Sequence, residues 1–178
     1  GLDEAEARQR CCFVDTHGLL TRARIEYPAE KRPFAHELPP CATLLEAIDR
    51  LRPTILIGCS GQPAQFTEAV VRAMARHNAR PVIFALSNPT SKAECTAEQA
   101  WAWSEGRAVF ASGSPFAPVT QDGRTRVPGQ CNNAYVFPGV GLGLVASRAA
   151  RVTDAMFLAA AGALAAQVSA EDLALGRV

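Results

Sequence analysis

Four short apolar runs, at residues 11–14, 54–57, 81–86 and 108–111, constrain this chain more than any other feature, because each leads straight into small polar residues. The runs are rich in Val, Ile, Phe, Ala or Cys and do not alternate strictly with polar residues, the pattern of strands in a covered parallel sheet. Between and around them lie amphipathic stretches at 43–51, 66–77 and 96–103 that read as helices. Thr96 stands where an N-cap belongs, with Gln99 three residues on, the spacing of a capping box. Strand alternating with helix predicts an α/β fold, a doubly wound parallel sheet of the Rossmann kind. The alanine-rich stretch 153–168 is expected to form a final helix packed on the sheet. Residues 113–143, rich in Gly and Pro and poor in periodicity, read as a long functional loop.

At 178 residues the chain suits one domain with a real core, spanning 1–178. Its 18 basic and 17 acidic residues nearly cancel, so no broad basic field invites nucleic acid. The longest apolar stretch, 155–166, is broken by Gly162 and too short to span a bilayer, so no membrane partner is expected. No charged segment followed by an apolar one opens the chain, and the first residues read as a helix already under way. The six cysteines (Cys11, Cys12, Cys41, Cys59, Cys95, Cys131) form no C-x-x-C pair and read as small buried hydrophobes in a reducing, cytoplasmic or mitochondrial compartment. The histidines, His17, His36 and His77, lie far apart, and no zinc site is expected from them.

In an open parallel sheet ligands gather beyond the carboxyl ends of the strands. The loops expected there are Asp15-Thr16-His17-Gly18, Gly58-Cys59-Ser60-Gly61, Ser87-Asn88-Pro89-Thr90 and Ser112-Gly113-Ser114-Pro115. Small residues let a ligand approach the backbone, and Asp, Ser and Asn supply directed hydrogen bonds. Asp15 suits a nucleotide ribose, since a carboxylate can accept both hydroxyl protons, though an Asx-turn or helix cap explains it equally well. The phosphate loop G-x-G-x-x-G is missing. Gly139-Val140-Gly141-Leu142-Gly143 has the wrong spacing and reads as packing or turn glycines. Asn132 and Asn133 carry amides suited to a small hydroxy acid, with turn formation as the plainer explanation.

At these residues the chain resembles the malic enzymes. The likeness is carried by the block from Arg80 through Ser87-Asn88-Pro89-Thr90 to Gln99, by Phe110-Ala-Ser-Gly-Ser-Pro-Phe116, and by Pro128-Gly-Gln-Cys-Asn-Asn-Ala-Tyr-Val-Phe-Pro-Gly139. Order and spacing agree from Phe13-Val-Asp15 through Phe34-Ala-His-Glu37 to Leu175-Gly-Arg177. The resemblance implies the downstream part of a Rossmann-like NAD(P)-binding domain, incomplete, with the first strand and phosphate loop missing. It implies oxidative decarboxylation of (S)-malate to pyruvate and CO2 with NADP as the cofactor and NAD possible. It makes Asn88 and Asn132 malate-binding amides, with Asn133 beside them. Asp15, with Thr16 next to it, would hold the adenine-side ribose, and Ser60, Gly61 and Leu86 would line the dinucleotide.

Lys31 falls where NADP-using members carry a lysine facing the ribose 2′-phosphate, a sensible place for a cation against a phosphate. The family's Mg2+ or Mn2+ ligands, catalytic lysine and catalytic tyrosine would lie upstream, so no catalytic or metal residue is assigned here. The isolated chain is then expected to be inactive, and the full-length enzyme to be a homo-oligomer. Two departures stand out. Cys131 replaces the usual glycine before the Asn pair, and Gln62-Pro63 replaces small residues. The competing reading is a non-catalytic nucleotide-binding or regulatory module derived from the same family.

Overall fold

The computed structural model describes residues 1–175. In chain order its elements are α1 (Glu4–Gln9), β1 (Val14–Asp15), β2 (Gly18–Leu19), α2 (Leu44–Leu51), β3 (Ile55–Gly58), α3 (Glu68–His77), β4 (Val82–Ala85) and α4 (Ala97–Trp103). They continue with β5 (Val109–Ser112), β6 (Val119–Gln121), β7 (Arg124–Arg126), β8 (Gly129–Gln130), α5 (Phe137–Ser147), α6 (Asp154–Ala165) and α7 (Ala170–Leu175). Gly176 and Arg177, the end of the last resembling string, lie outside the described residues.

Threonine caps place the helices where the periodicity put them. Thr43 and Glu46 form a reciprocal capping box at α2, Thr96 and Gln99 form another at α4, and the Thr67 hydroxyl caps α3. The helices then bury their apolar sides on a parallel sheet ordered β3-β4-β5-β8. Leu56, Ile83 and Phe110 stand side by side in register and are buried with Val70, Val71 and Met74 of α3 and Ala100 and Trp101 of α4. The neighbouring positions Ile55 and Ile57, turned to the other face by the two-residue period, are 52% and 57% exposed. The fold is therefore Rossmann-like α/β with an incomplete sheet, and among the described residues β3 carries helices on one face only.

Five expectations need correction. The run 11–14 does not join the parallel sheet: only Val14–Asp15 is extended, pairing antiparallel with Gly18–Leu19. Turn chemistry overrides the apolar run here. The Asp15 carboxylate accepts the His17 backbone N–H, and Gly18 takes a φ of +86°, where a Cβ would strike the Cys41 carbonyl. The fourth strand of the sheet is instead β8, inside 113–143. That segment is no loop: it holds the β6–β7 hairpin, β8, a 3-10 turn at Asn133–Tyr135 and the start of α5. Gly139, Gly141 and Gly143 lie within α5, with open space where each Cβ would stand, so they serve neither turn nor packing among the described residues. α6 packs against α5 rather than the sheet, and neither helix buries a residue. Finally, only Cys41 and Cys95 are buried, and the other four cysteines are exposed.

α2 joins the hairpin to the sheet. Its Ala47 packs with Leu19 of β2 and with Cys41, while the next residue, Ile48, enters the cluster under the sheet.

Candidate functional site

Three of the four expected loops do line the carboxyl edge of the parallel sheet, after β3, β4 and β5. Gly113 organises the last two. A Cβ there would sit 2.2 Å from the Leu86 carbonyl and 2.8 Å from the Asn88 amide, so only glycine admits both. Asn132 donates its amide to the Gly113 carbonyl at 2.9 Å and accepts the Ala134 N–H at 2.9 Å, capping the 3-10 turn. Gln130 also donates to the Gly113 carbonyl, at 3.3 Å, and accepts the Tyr135 hydroxyl at 2.8 Å. Asn88, exposed and joined to Pro89 by a cis peptide, accepts the Ser114 hydroxyl at 2.5 Å. Its Nδ2 has no acceptor among the described residues. Asn88 and Asn132 are thus brought together around Gly113. Asn133, exposed, begins the 3-10 turn beside them.

The loops after β3 and β4 are tied by a residue that the sequence reading passed over. Glu94, 1% exposed, accepts the Ser60 N–H at 3.0 Å, the Ser60 hydroxyl at 2.9 Å and the Ser87 hydroxyl at 2.5 Å. Ser87 Oγ in turn accepts the Gly61 N–H at 2.9 Å. Leu86, half-buried, donates its N–H to the Gly58 carbonyl at 2.8 Å. Burial alone would raise the Glu94 carboxyl, but the hydrogen bonds from Ser87 and Ser60 outweigh it and keep the group below the usual carboxylate range. The neighbouring Cys95 thiol is pushed up to about 12 by burial and by the Glu94 charge, which leaves it inert at neutral pH. The one signal for Glu94 was its place between β4 and the α4 cap, too little to single out a carboxylate.

Asp15, Thr16 and Lys31 form a second group, on the hairpin. The Asp15 carboxylate accepts Arg24 Nη1 at 3.0 Å and Nη2 at 3.2 Å, Lys31 Nζ at 2.5 Å, and the His17 N–H at 2.9 Å. Partial burial would raise its pKa, but the bonds from Lys31, His17 and Arg24 and the Arg24 charge hold it well below the usual range. Lys31 and Asp15 line a cavity of about 250 Å3 with Phe13, Val14, Leu20 and Phe34. Thr16 is exposed, its hydroxyl 3.2 Å from His17 Nδ1. Arg24 was not foreseen, although a second cation nine residues beyond an expected ribose carboxylate was legible in the sequence. Among the described residues no cluster of three or more His, Cys, Asp or Glu is arranged to hold a metal ion.

A parallel sheet with polar loops along its carboxyl edge places the chain in the class of Rossmann-like ligand-binding domains. The family profile described as malic enzyme, NAD binding domain, matches residues 1–178. The chain is 55% identical over 174 residues to an NADP-dependent malic enzyme of Phaseolus vulgaris, covering 97% of this chain and 30% of the relative. It is 53% identical over 179 residues to NADP-dependent malic enzyme 2 of Arabidopsis thaliana, covering 100% of this chain and 30% of the relative. It is 52% identical over 177 residues to a chloroplastic NADP-dependent malic enzyme of Solanum lycopersicum, covering 99% of this chain and 31% of the relative.

The chain belongs to the malic enzyme family, in its NAD-binding domain, and spans about a third or less of the length of these relatives. The expected cytoplasmic or mitochondrial address is overturned: the tomato relative and others of similar identity are named chloroplastic. Cysteine usage and net charge describe a folded domain, whereas a compartment is read from targeting segments by receptors. No helix among the described residues is long and apolar enough to cross a membrane.

Proposed function

We propose that this chain forms the cofactor- and substrate-facing edge of an NADP-dependent malic enzyme, which converts (S)-malate to pyruvate and CO2. The observation that carries the reading is the convergence of Asn88 and Asn132 on Gly113 at the carboxyl ends of β4 and β5. NADP, when bound, supplies the hydride acceptor. Asn88 is the stronger substrate ligand of the two, because its Nδ2 remains available to an incoming carboxylate or hydroxyl. Asn132 acts largely by holding the loop, since both ends of its amide are already bonded to backbone. Asn133 stands next to the substrate. Ser60, Gly61 and Leu86 shape the dinucleotide channel. Lys31 and Arg24 stand beside Asp15, with Glu30 lining the same cavity, and Lys31, on the cavity wall, is the cation that suits a ribose 2′-phosphate. Asp15 orders those cations, and a ribose hydroxyl would reach its oxygens only by replacing one of them.

Among the described residues none are arranged to form the divalent-metal site implied by the family. Consistent with that, the isolated chain should form no NADPH from malate, NADP and Mn2+ above a protein-free control. In the full-length enzyme, Asn88→Ala should lower kcat/KM for malate by roughly ten- to a hundredfold, the effect of about 1.5–3 kcal/mol from a lost hydrogen bond to an anion. Its melting temperature should hardly move. Asn132→Ala should lower both together. Activity that tracks melting temperature in both variants would make Asn88 a turn residue.

A further inference from the structure

We infer that Glu94 is the positioning residue that sets the two dinucleotide loops against each other, a brace rather than a ligand. This rests on reading the loops after β3 and β4 as cofactor loops. The geometry is unusual for a buried charge. Among the described residues Glu94 makes no ion pair, and all its named partners are neutral N–H and O–H groups. Oε1 takes the Ser60 N–H, the Ser60 hydroxyl and the Ser87 hydroxyl, while Oε2 lies 3.4 Å from the Ser87 N–H. A buried carboxylate is tolerated only when its lone pairs are met by donors, so the charge demands that both loops close onto it.

The relay continues through Ser87, whose hydroxyl donates to Glu94 and accepts the Gly61 N–H at 2.9 Å. The backbone beside Glu94 is also fastened to the first loop, with Phe66 N–H on the Glu94 carbonyl at 3.0 Å and Ala64 N–H on the Ala93 carbonyl at 3.3 Å. Gly58 completes the seat, because a Cβ there would fall 2.5 Å from the Glu94 Cδ. Ser60, Gly61, Ser87 and the strand end at Gly58 are therefore positioned from one carboxylate. Glu94, 1% exposed beneath the loops, need not touch the cofactor to decide where they stand.

The test uses the full-length enzyme, NADPH fluorescence titration and steady-state kinetics. In Glu94→Gln one acceptor oxygen becomes an NH2 group facing Ser60 or Ser87 donors. The Kd for NADPH and the KM for NADP should rise about tenfold or more, with a smaller change in kcat at saturating cofactor. Ser87→Ala, which removes one arm of the relay, should weaken NADPH binding in the same direction but less. Near-wild-type affinity in a folded Glu94→Gln overturns the brace. Should Glu94→Gln fail to fold, Ser87→Ala decides: folded with weakened NADPH binding sustains the proposal, and folded with unchanged binding overturns it. If neither variant folds, the network is structural and the proposal is wrong. A wild-type enzyme that does not bind NADPH would instead defeat the cofactor reading on which the brace depends.

Discussion

At the carboxyl edge of the sheet Glu94 is 1% exposed and is met by neutral donors, whereas Asp15 on the β1–β2 hairpin keeps 24% of its side chain in water and is met by two cations. Both carboxyls are held below their usual pKa against the opposing effect of burial, so the outcome is the same by different routes. Neutral donors act only at short range and in fixed directions, so the Glu94 arrangement specifies loop geometry and responds little to salt. Cations act over longer distances and are screened, so the Asp15 cluster can exchange partners with an incoming anion. One region is built to hold shape and the other to present charge.

The largest expected effect comes from forcing the rigid region apart. Gly113→Ala puts a methyl group against the Leu86 carbonyl, which cannot swing aside as a side-chain tip could. Stability measured by denaturant melts should fall by about 1–3 kcal/mol, and malate turnover by the full-length enzyme should be lost with it. A variant with normal stability and turnover would show that this edge gives more readily than its hydrogen bonds imply.

A smaller effect is expected at the charged region. Lys31→Gln should raise the KM for NADP by up to about fivefold, the effect of an ion pair worth about 1 kcal/mol at a partly exposed site. NAD use should hardly change, and the difference should shrink as salt increases. Equal loss with both cofactors, or no salt dependence, would make Lys31 a structural partner of Asp15.

The smallest effect concerns acid. Because the folded pKa of Asp15 is depressed, its contribution to stability is complete above the ordinary carboxylate value of about 3.9. That contribution is lost as pH falls toward the folded value. The stability gap between wild type and Asp15→Asn should be constant from pH 7 to about 5 and narrow below about 4, as followed by urea midpoints. A gap that stays constant through that range would mean that Asp15 matters for shape and not for charge.

The same contrast runs through the hydrophobic parts. Ile83 and Met74 are completely buried, while α5 and α6 are apolar all round and hold no fully buried residue among the described residues. Helices of that kind are built to be surrounded. The alanine-rich pattern of 153–168 was therefore legible as a helix, but which surface it meets was not.

Much of the fold was present in local sequence. The caps at Thr43 and Thr96 and the runs at β3, β4 and β5 each act over a few neighbouring residues, so their placement needed no tertiary information. The loops carrying Ser60, Asn88 and Gly113 followed from those strand ends. Other features depended on residues far apart in the chain. β8 is two residues long and exists because β5 offers it an open edge. Glu94 reaches Ser60 across 34 positions, and Asn132 reaches Gly113 across 19. Arg24 and Lys31 meet Asp15 only once the hairpin has turned. Periodicity and capping are short-range effects that a sequence displays directly. The partner of a buried charge is chosen by packing, and only the folded chain decides it.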